Sequence, residues 1–198
     1  VDAQIHVYTY AIAKQVKNLR SQVSRAACSA AGEFFLTHAR VLDADAEELA
    51  AALLNRSADT NKFLRADASK GECLNFNLNK LLIFNLALEL MTDALNPTKS
   101  VIILTSRGAN HQNAAVRCTA AKLLNELVFR IGCDKVFNMH REVRDRLILT
   151  GAKLLMEGSL ETRNYTKELF KQLSIHSHYQ KLLLDVIPPN IYRNIEKS

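Results

Sequence analysis

Residues 18–35, NLRSQVSRAACSAAGEFF, decide how the chain is read: a short polar stretch turns directly into an Ala-rich amphipathic segment. The pattern returns three times. Thr60–Ala68 (TNKFLRADA), Asn113–Ala120 (NAAVRCTA) and Ser159–Thr166 (SLETRNYT) each join a polar stretch to an Arg and a helix-forming run. The four arginines, Arg25, Arg65, Arg117 and Arg163, are spaced by 40, 52 and 46 residues. That lies within or near the period of about 40–47 residues of solenoids built from helix pairs. One such segment means little, whereas four in phase, each preceded by another helical segment, imply a stack of repeats.

Composition agrees. The 198 residues are 48% hydrophobic, enough for a continuous core, and six Gly and three Pro leave helices uninterrupted. The fold class expected is all-α. No apolar run reaches the roughly 20 residues that span a bilayer, and the first residues, VDAQIHVYTY, lack a signal-peptide layout, so a cytoplasmic location is expected. Cys28, Cys73, Cys118 and Cys133 form no Cys-x-x-Cys pair. Cys28 and Cys118 fall in the apolar rhythm of repeat helices and read as reduced core residues. Asn55-Arg56-Ser57 and Asn164-Tyr165-Thr166 match the glycosylation sequon and, in a cytoplasmic chain, should stay unmodified. His176 and His178, two residues apart with no Cys nearby, make a poor metal site. No metal or cofactor is expected. Phosphate-binding, nucleophile-elbow and zinc-protease motifs do not occur, so the chain is not read as an enzyme. Asp43, Asp45, Glu47 and Glu48 read as helix-start charges.

Taken in order, Ile5, Tyr8, Ile12 and Val16 mark one face of a first helix. After the loop Asn18–Gln22, a second helix should bury Val23, Ala27, Ala30, Ala31, Phe34 and Phe35, and a third should run Ala46–Arg56. Gly71–Leu86 is foreign to this scheme: Leu74, Phe76 and Leu78 alternate with Asn at a strand's period of two. Excising these 16 residues aligns Leu64, Ala68, Leu88, Met91 and Leu95 at helical intervals and shortens the anomalous spacing of 52 to 36. Two origins account for the interruption. One is an unspliced intron, since Gly71-Glu72-Cys73 can be encoded with a donor-like sequence and Leu86-Ala87 with an acceptor-like one. The other is a lineage-specific insertion looped out of the solenoid. Beyond it, Pro97 starts a helix that Gly108 closes, Ala114–Ile131 is a strongly amphipathic helix ending at Gly132, Arg141–Met156 pairs with Thr162–Ser174, and Tyr179–Ile187 begins a partial repeat.

VKNLRSQVSRAACSAAGEFF, ALLNRSADTNKFLRADASK, SRGANHQNAAVRCTAAKLL and ETRNYTKELF resemble the TOG domain, a tubulin-binding array of HEAT repeats, and most closely that of the crescerin family, the TOG array regulators of axonemal microtubules. CLASP-type TOG domains share the first motif. The resemblance covers nearly the whole of residues 1–198 except 71–86, and implies a HEAT-repeat α-solenoid, N-terminally incomplete. A full domain resembles six repeats, of which this chain matches the second to the sixth. The first, whose loop typically brings a Trp to tubulin, has no counterpart in a chain without Trp.

In such an array the loop inside each helix pair emerges on one edge. Lys17, Asn18, Leu19, Arg20 and Ser21, then Asn61 and Lys62, then His111, Gln112 and Asn113, then Glu161 and Arg163, are thus expected in a single row. By the resemblance, this mostly basic, amide-rich row faces αβ-tubulin or microtubules, in a larger protein with several TOG domains, in the cytoplasm, the cytoskeleton and the cilium or axoneme. The net charge of +6 suits an acidic partner surface. The repeated arginines read either as clasps on a neighbouring loop or as tubulin contacts, and His111 either as a tip contact or as a helix cap. Nucleic acid is disfavoured, because basic residues are interleaved with amides and aromatic residues fall on core faces. Membrane binding is not expected. The alternative is a HEAT-repeat protein–protein scaffold without tubulin affinity.

Overall fold

The structure, a computed structural model, describes residues 2–38, 41–42, 45–67 and 74–196. Side chains are described for these except 2–3, 59–67, 74–82, 193, 194 and 196. Among the described residues every regular element is helical, as composition requires, and no helix is long and apolar enough to cross a membrane. The chain divides into two compact units, Val1–Ile103 and Leu104–Ser198.

The first unit contains α1 (Asp2–Val16), α2 (Ser21–His38), α3 (Ala46–Asp67), α4 (Leu74–Ala94) and α5 (Pro97–Ile103). Helix α1 packs on α2 within its pair and on α3 of the next, while α2 packs on α4. First helices thus stack on first and second on second, the arrangement of a HEAT solenoid. Small side chains permit the approach. The buried face of α2 is Ser24, Ala27, Cys28, Ala31, Gly32 and Phe35, and a Cβ built on Gly32 would lie 2.9 Å from Leu90 of α4.

This differs from the expected stripes. Ala30 is exposed, and Val23 and Phe34 are half-buried. On α1 the buried line is Ile5, Thr9, Ala13 and Val16, leaving Ile12 half-buried and Tyr8 58% exposed. Both lines have helical spacing, and contact with two neighbouring helices selects the one with the smaller residues. Thr9 tolerates burial because its hydroxyl donates to Ile5 O at 2.9 Å.

Two further expectations are corrected. Helix α3 does not stop at Arg56 but continues to Asp67, through the loop expected at Asn61 and Lys62. Residues 74–79 are the first turns of α4 and not a strand. An isolated strand in a helical array has no ladder partner for its N–H and C=O groups, whereas a helix satisfies them internally. The segment is therefore not looped out from residue 74 onward: α4 runs unbroken across Leu86, with Phe84 and Ala87 both buried. Residues 71–73, including Cys73, lie outside the described residues. Leu88, Met91 and Leu95 are buried at the helical spacing foreseen for them.

The second unit opens with a π-helical turn, Leu104–Ala109, followed by α6 (Ala114–Ile131), the short α7 (Cys133–Phe137), α8 (Arg141–Leu154), α9 (Leu160–Leu173), α10 (Tyr179–Val186) and α11 (Pro189–Glu196). Here α6 packs on α9, α8 on the π turn, and α10 and α11 on α8. Helix α6 has the bounds its periodicity implies and ends at Gly132, whose φ of +83° suits glycine. Gly108, expected to close the preceding helix, is instead buried within the π turn. Helix α7 is not foreshadowed in the sequence, because five residues hold too short a pattern to recognise.

Cys28 is fully buried among the α2 neighbours, and burial raises its thiol to about 12 against a lowering contribution from Arg56. The folded chain therefore keeps this proton up to about pH 12, whereas an unfolded thiol loses it near 9. Stability from this group is complete below pH 9 and declines above it. Iodoacetamide at about pH 8, below the ordinary thiol range, is expected to modify the partly exposed Cys133 and spare Cys28 in the native protein, as peptide mass mapping would reveal.

At Gly151 of α8, an added Cβ would lie 3.0 and 3.1 Å from two ring carbons of Phe170 on α9. Gly→Ala inside a helix ordinarily stabilises by about 1 kcal/mol. Here overpacking, costing about 1–3 kcal/mol, outweighs it. Gly151→Ala should lower the thermal midpoint, and a rise would refute the close packing.

Candidate functional site

In the first unit the loop between α1 and α2 begins at Lys17 and ends as Ser21 starts α2. Its direction is set locally. Asn18 Nδ2 donates to Gln15 Oε1 at 3.0 Å, and Asn18 Oδ1 accepts from Arg20 N at 2.9 Å, an Asx turn that needs no tertiary help. Arg56 of α3 donates from Nε to Ser24 Oγ at 3.1 Å and from Nη2 to Asn18 O. Ser24 in turn donates to Val16 O at 2.7 Å. A cation and a hydroxyl thus take up the carbonyls that a tight interhelical turn leaves unpaired. The tip is turned to solvent: Leu19 is 95% exposed, Arg20 and Ser21 are exposed, and Lys17 makes a loose 3.9 Å pair with Glu48.

In the second unit the loop His111–Asn113 joins the π turn to α6. Asn113 is the helix cap, its Oδ1 accepting from Ala115 N at 3.0 Å. His111 is not the cap. Its Nδ1 accepts from Asn113 N at 3.0 Å, so the neutral ring carries its proton on Nε2. Gln112, between them, is exposed.

Arg117 reaches back from α6 to this loop, donating from Nη1 to His111 O at 2.9 Å and to Gln112 O at 2.8 Å. Its other edge meets Glu157: Nη2 donates to Oε2 at 2.8 Å, and Nε lies 2.6 Å from Oε1 as an ion-pair contact without hydrogen-bond geometry, both side chains being less than a quarter exposed. Glu157 lies in the next loop, between α8 and α9. There Arg163 repeats the arrangement, Nη1 donating to Glu157 O at 2.6 Å and to Gly158 O at 3.0 Å. Two successive loops are thereby held in one chain of bonds.

These contacts sort the expected residues. Lys17, Asn18, Leu19, Arg20 and Ser21 sit together at one loop, and His111, Gln112 and Asn113 at another. Arg163, on the first turn of α9, has its guanidinium engaged by the Glu157 and Gly158 carbonyls. Glu161 is exposed on the first turn of α9, where it accepts from Tyr165 Oη at 3.5 Å. Asn61 and Lys62 belong to the helical backbone of α3, and their side chains, like that of Arg65, lie outside the described residues. Glu157 has no signature in the sequence, since a lone Glu before Gly carries no pattern. Its role follows from Arg117, 40 residues away.

Among the described residues no group of three His, Cys, Asp or Glu side chains could hold a metal ion. His176 instead stacks on Phe137, ring centroids 3.8 Å apart, and its Nδ1 accepts from His178 N at 3.1 Å.

The clasp separates structural from surface arginines. Arg117→Ala strands Glu157 and two loop carbonyls and should destabilise by about 2 kcal/mol. Arg20→Ala, at a solvated tip, should change stability by less than about 0.5 kcal/mol. Chemical denaturation of both variants checks the contrast.

No family model matches this chain. It is 29% identical over all 198 residues to TOG array regulator of axonemal microtubules protein 1 of Mus musculus. The human protein of the same name matches at 26% over 111 residues, 56% of the chain. Crescerin-like protein che-12 of Caenorhabditis elegans matches at 26% over 174 residues, 87% of the chain. The chain spans 10%, 6% and 12% of these proteins respectively. Its stacked helix pairs and this similarity agree: the chain is similar over its whole length to a TOG array regulator of axonemal microtubules, and over 87% of it to a crescerin-like protein.

Proposed function

We propose that this chain is a tubulin-binding module of a longer protein, acting on microtubule polymerisation or stability in cilia through the loops within its helix pairs. The observation that carries this reading is the tip Lys17–Ser21. It offers a 95% exposed leucine flanked by cations, held in place by an Asx turn and by Arg56 from below. Such a tip fits an acidic protein surface with an apolar recess: charge guides approach and register, and the leucine adds contact area on docking. In the second unit, His111, Gln112 and Asn113 are proposed as a contact loop of their own, with amide and imidazole donors suited to carboxylates and carbonyls. Glu161, Asn61 and Lys62 are proposed as flanking contacts, and Arg163 as a support that contributes through Glu157 and Gly158. The names of the relatives, regulators of axonemal microtubules, support tubulin as the partner and the axoneme as the place.

A second reading, a HEAT scaffold without tubulin affinity, draws on the course of α3. Its helix runs unbroken through Asn61 and Lys62, so one of the four expected loops is missing from the proposed surface.

Analytical ultracentrifugation with soluble αβ-tubulin tests both. Binding should weaken as salt rises, and Arg20→Ala with Leu19→Ala should reduce affinity at least about tenfold with the thermal midpoint retained. Absence of binding by the folded parent chain would favour the scaffold.

A further inference from the structure

We infer that the π turn Leu104–Ala109, with Asn110 as its lock, is the register element that aims the loop His111–Asn113; the affinity part of this inference rests on the reading given under Proposed function. A π turn closes i→i+5 bonds and takes in one more residue than an α turn, a geometry that is rare and concentrated at functional positions. Here it spans six residues. Leu104, Thr105, Gly108 and Ala109 are buried, and the turn packs on α6 and α8 of the same unit, so it is a fixed base and not a frayed end.

Past its last residue, Asn110 folds back and donates from Nδ2 to Thr105 O at 3.0 Å, and His111 N donates to Gly108 O at 3.1 Å. These two bonds tie the start of the loop to the turn. At the other end Arg117 holds His111 O and Gln112 O, and Asn113 caps α6. A three-residue loop held at both ends leaves its exposed tip, Gln112, little choice of direction.

That direction depends on the π closure. Each residue of an α-helix turns the chain by about 100°. The π turn takes in one residue more than an α turn, so if the same residues closed as α-helix, or one more residue were added, Asn110 would leave the packed base rotated by about that angle, and its side chain would no longer meet Thr105 O. Asn110 is therefore a positioning residue: it acts on the partner through Gln112.

The test uses the 198-residue chain with Asn110→Ala, insertion of one Ala after Ser106, and Arg20→Ala as a control in the other unit. NMR amide shifts and hydrogen exchange of residues 104–113, thermal midpoint and affinity for αβ-tubulin are read for each. Asn110→Ala should shift the Gln112 and Asn113 amides, speed exchange in the loop and weaken tubulin binding about fivefold with a nearly unchanged midpoint. The insertion, which rotates the exit of the turn, should move the same amides further and weaken binding more. If Arg20→Ala weakens binding while Asn110→Ala leaves loop amides and affinity unchanged, the inference is overturned and the loop-edge reading stands. If the parent chain does not bind tubulin, that reading fails separately. The amide shifts and exchange then decide the positioning role alone, unmoved signals overturning it. Should the insertion not fold, Asn110→Ala decides by itself.

Discussion

Carbonyl groups at the turns between paired helices must find donors, and among the described residues three arginines hold five of them. A helix leaves its last carbonyls unpaired, and a loop of a few residues has too few N–H groups to satisfy them. Arg56, Arg117 and Arg163 each place a guanidinium under such a turn. Without them the tips would need longer, wetter loops, and the tips would lose the fixed geometry that a protein-binding edge requires. The ion pair of Arg117 with Glu157 extends the constraint from one loop to the next, so in the second unit the geometry of a loop depends on its neighbour.

The helices beneath these turns follow a different rule, close approach between small faces. Ala27, Ala31 and Gly32 of α2 admit α4, and Gly151 of α8 admits Phe170 of α9. Small residues contribute little apolar area each, but they bring helices close enough for the larger Leu and Phe around them to be fully buried. Leu49, Leu53, Leu88 and Met91 in one unit, and Leu124, Leu127 and Leu147 in the other, are the result. Position of the tips and stability of the core thus rest on different contacts, since the clasping guanidiniums reach into the turns and the close approaches lie along the helices.

The four-fold pattern of polar stretch, Arg and helix was legible because it is local and repeats. Helix α6, the cap at Asn113 and the stop at Gly132 follow from periodicity and turn chemistry alone. The loop at Lys17–Ser21 was legible for the same reason: Asn18 makes its turn with residues two and three positions away. All-helical class, the repeat period and the resemblance to TOG arrays needed nothing beyond the order of residues.

Tertiary structure decided what the pattern left degenerate. Tyr8 and Thr9 offer two equally periodic stripes, and contact with α2 and α3 chose Thr9. Residues 74–79 alternate as a strand would, but a lone strand has no ladder, so the backbone closed its bonds as helix. An Arg in a repeat says that a carbonyl will be held, yet which one, and whether a distant Glu157 joins it, depends on the packing of α6 beside the next loop. The π turn before His111 is of the same kind. Its extra residue leaves no mark in composition or period, and it exists because the packed faces of α6 and α8 hold Leu104–Ala109 in that register.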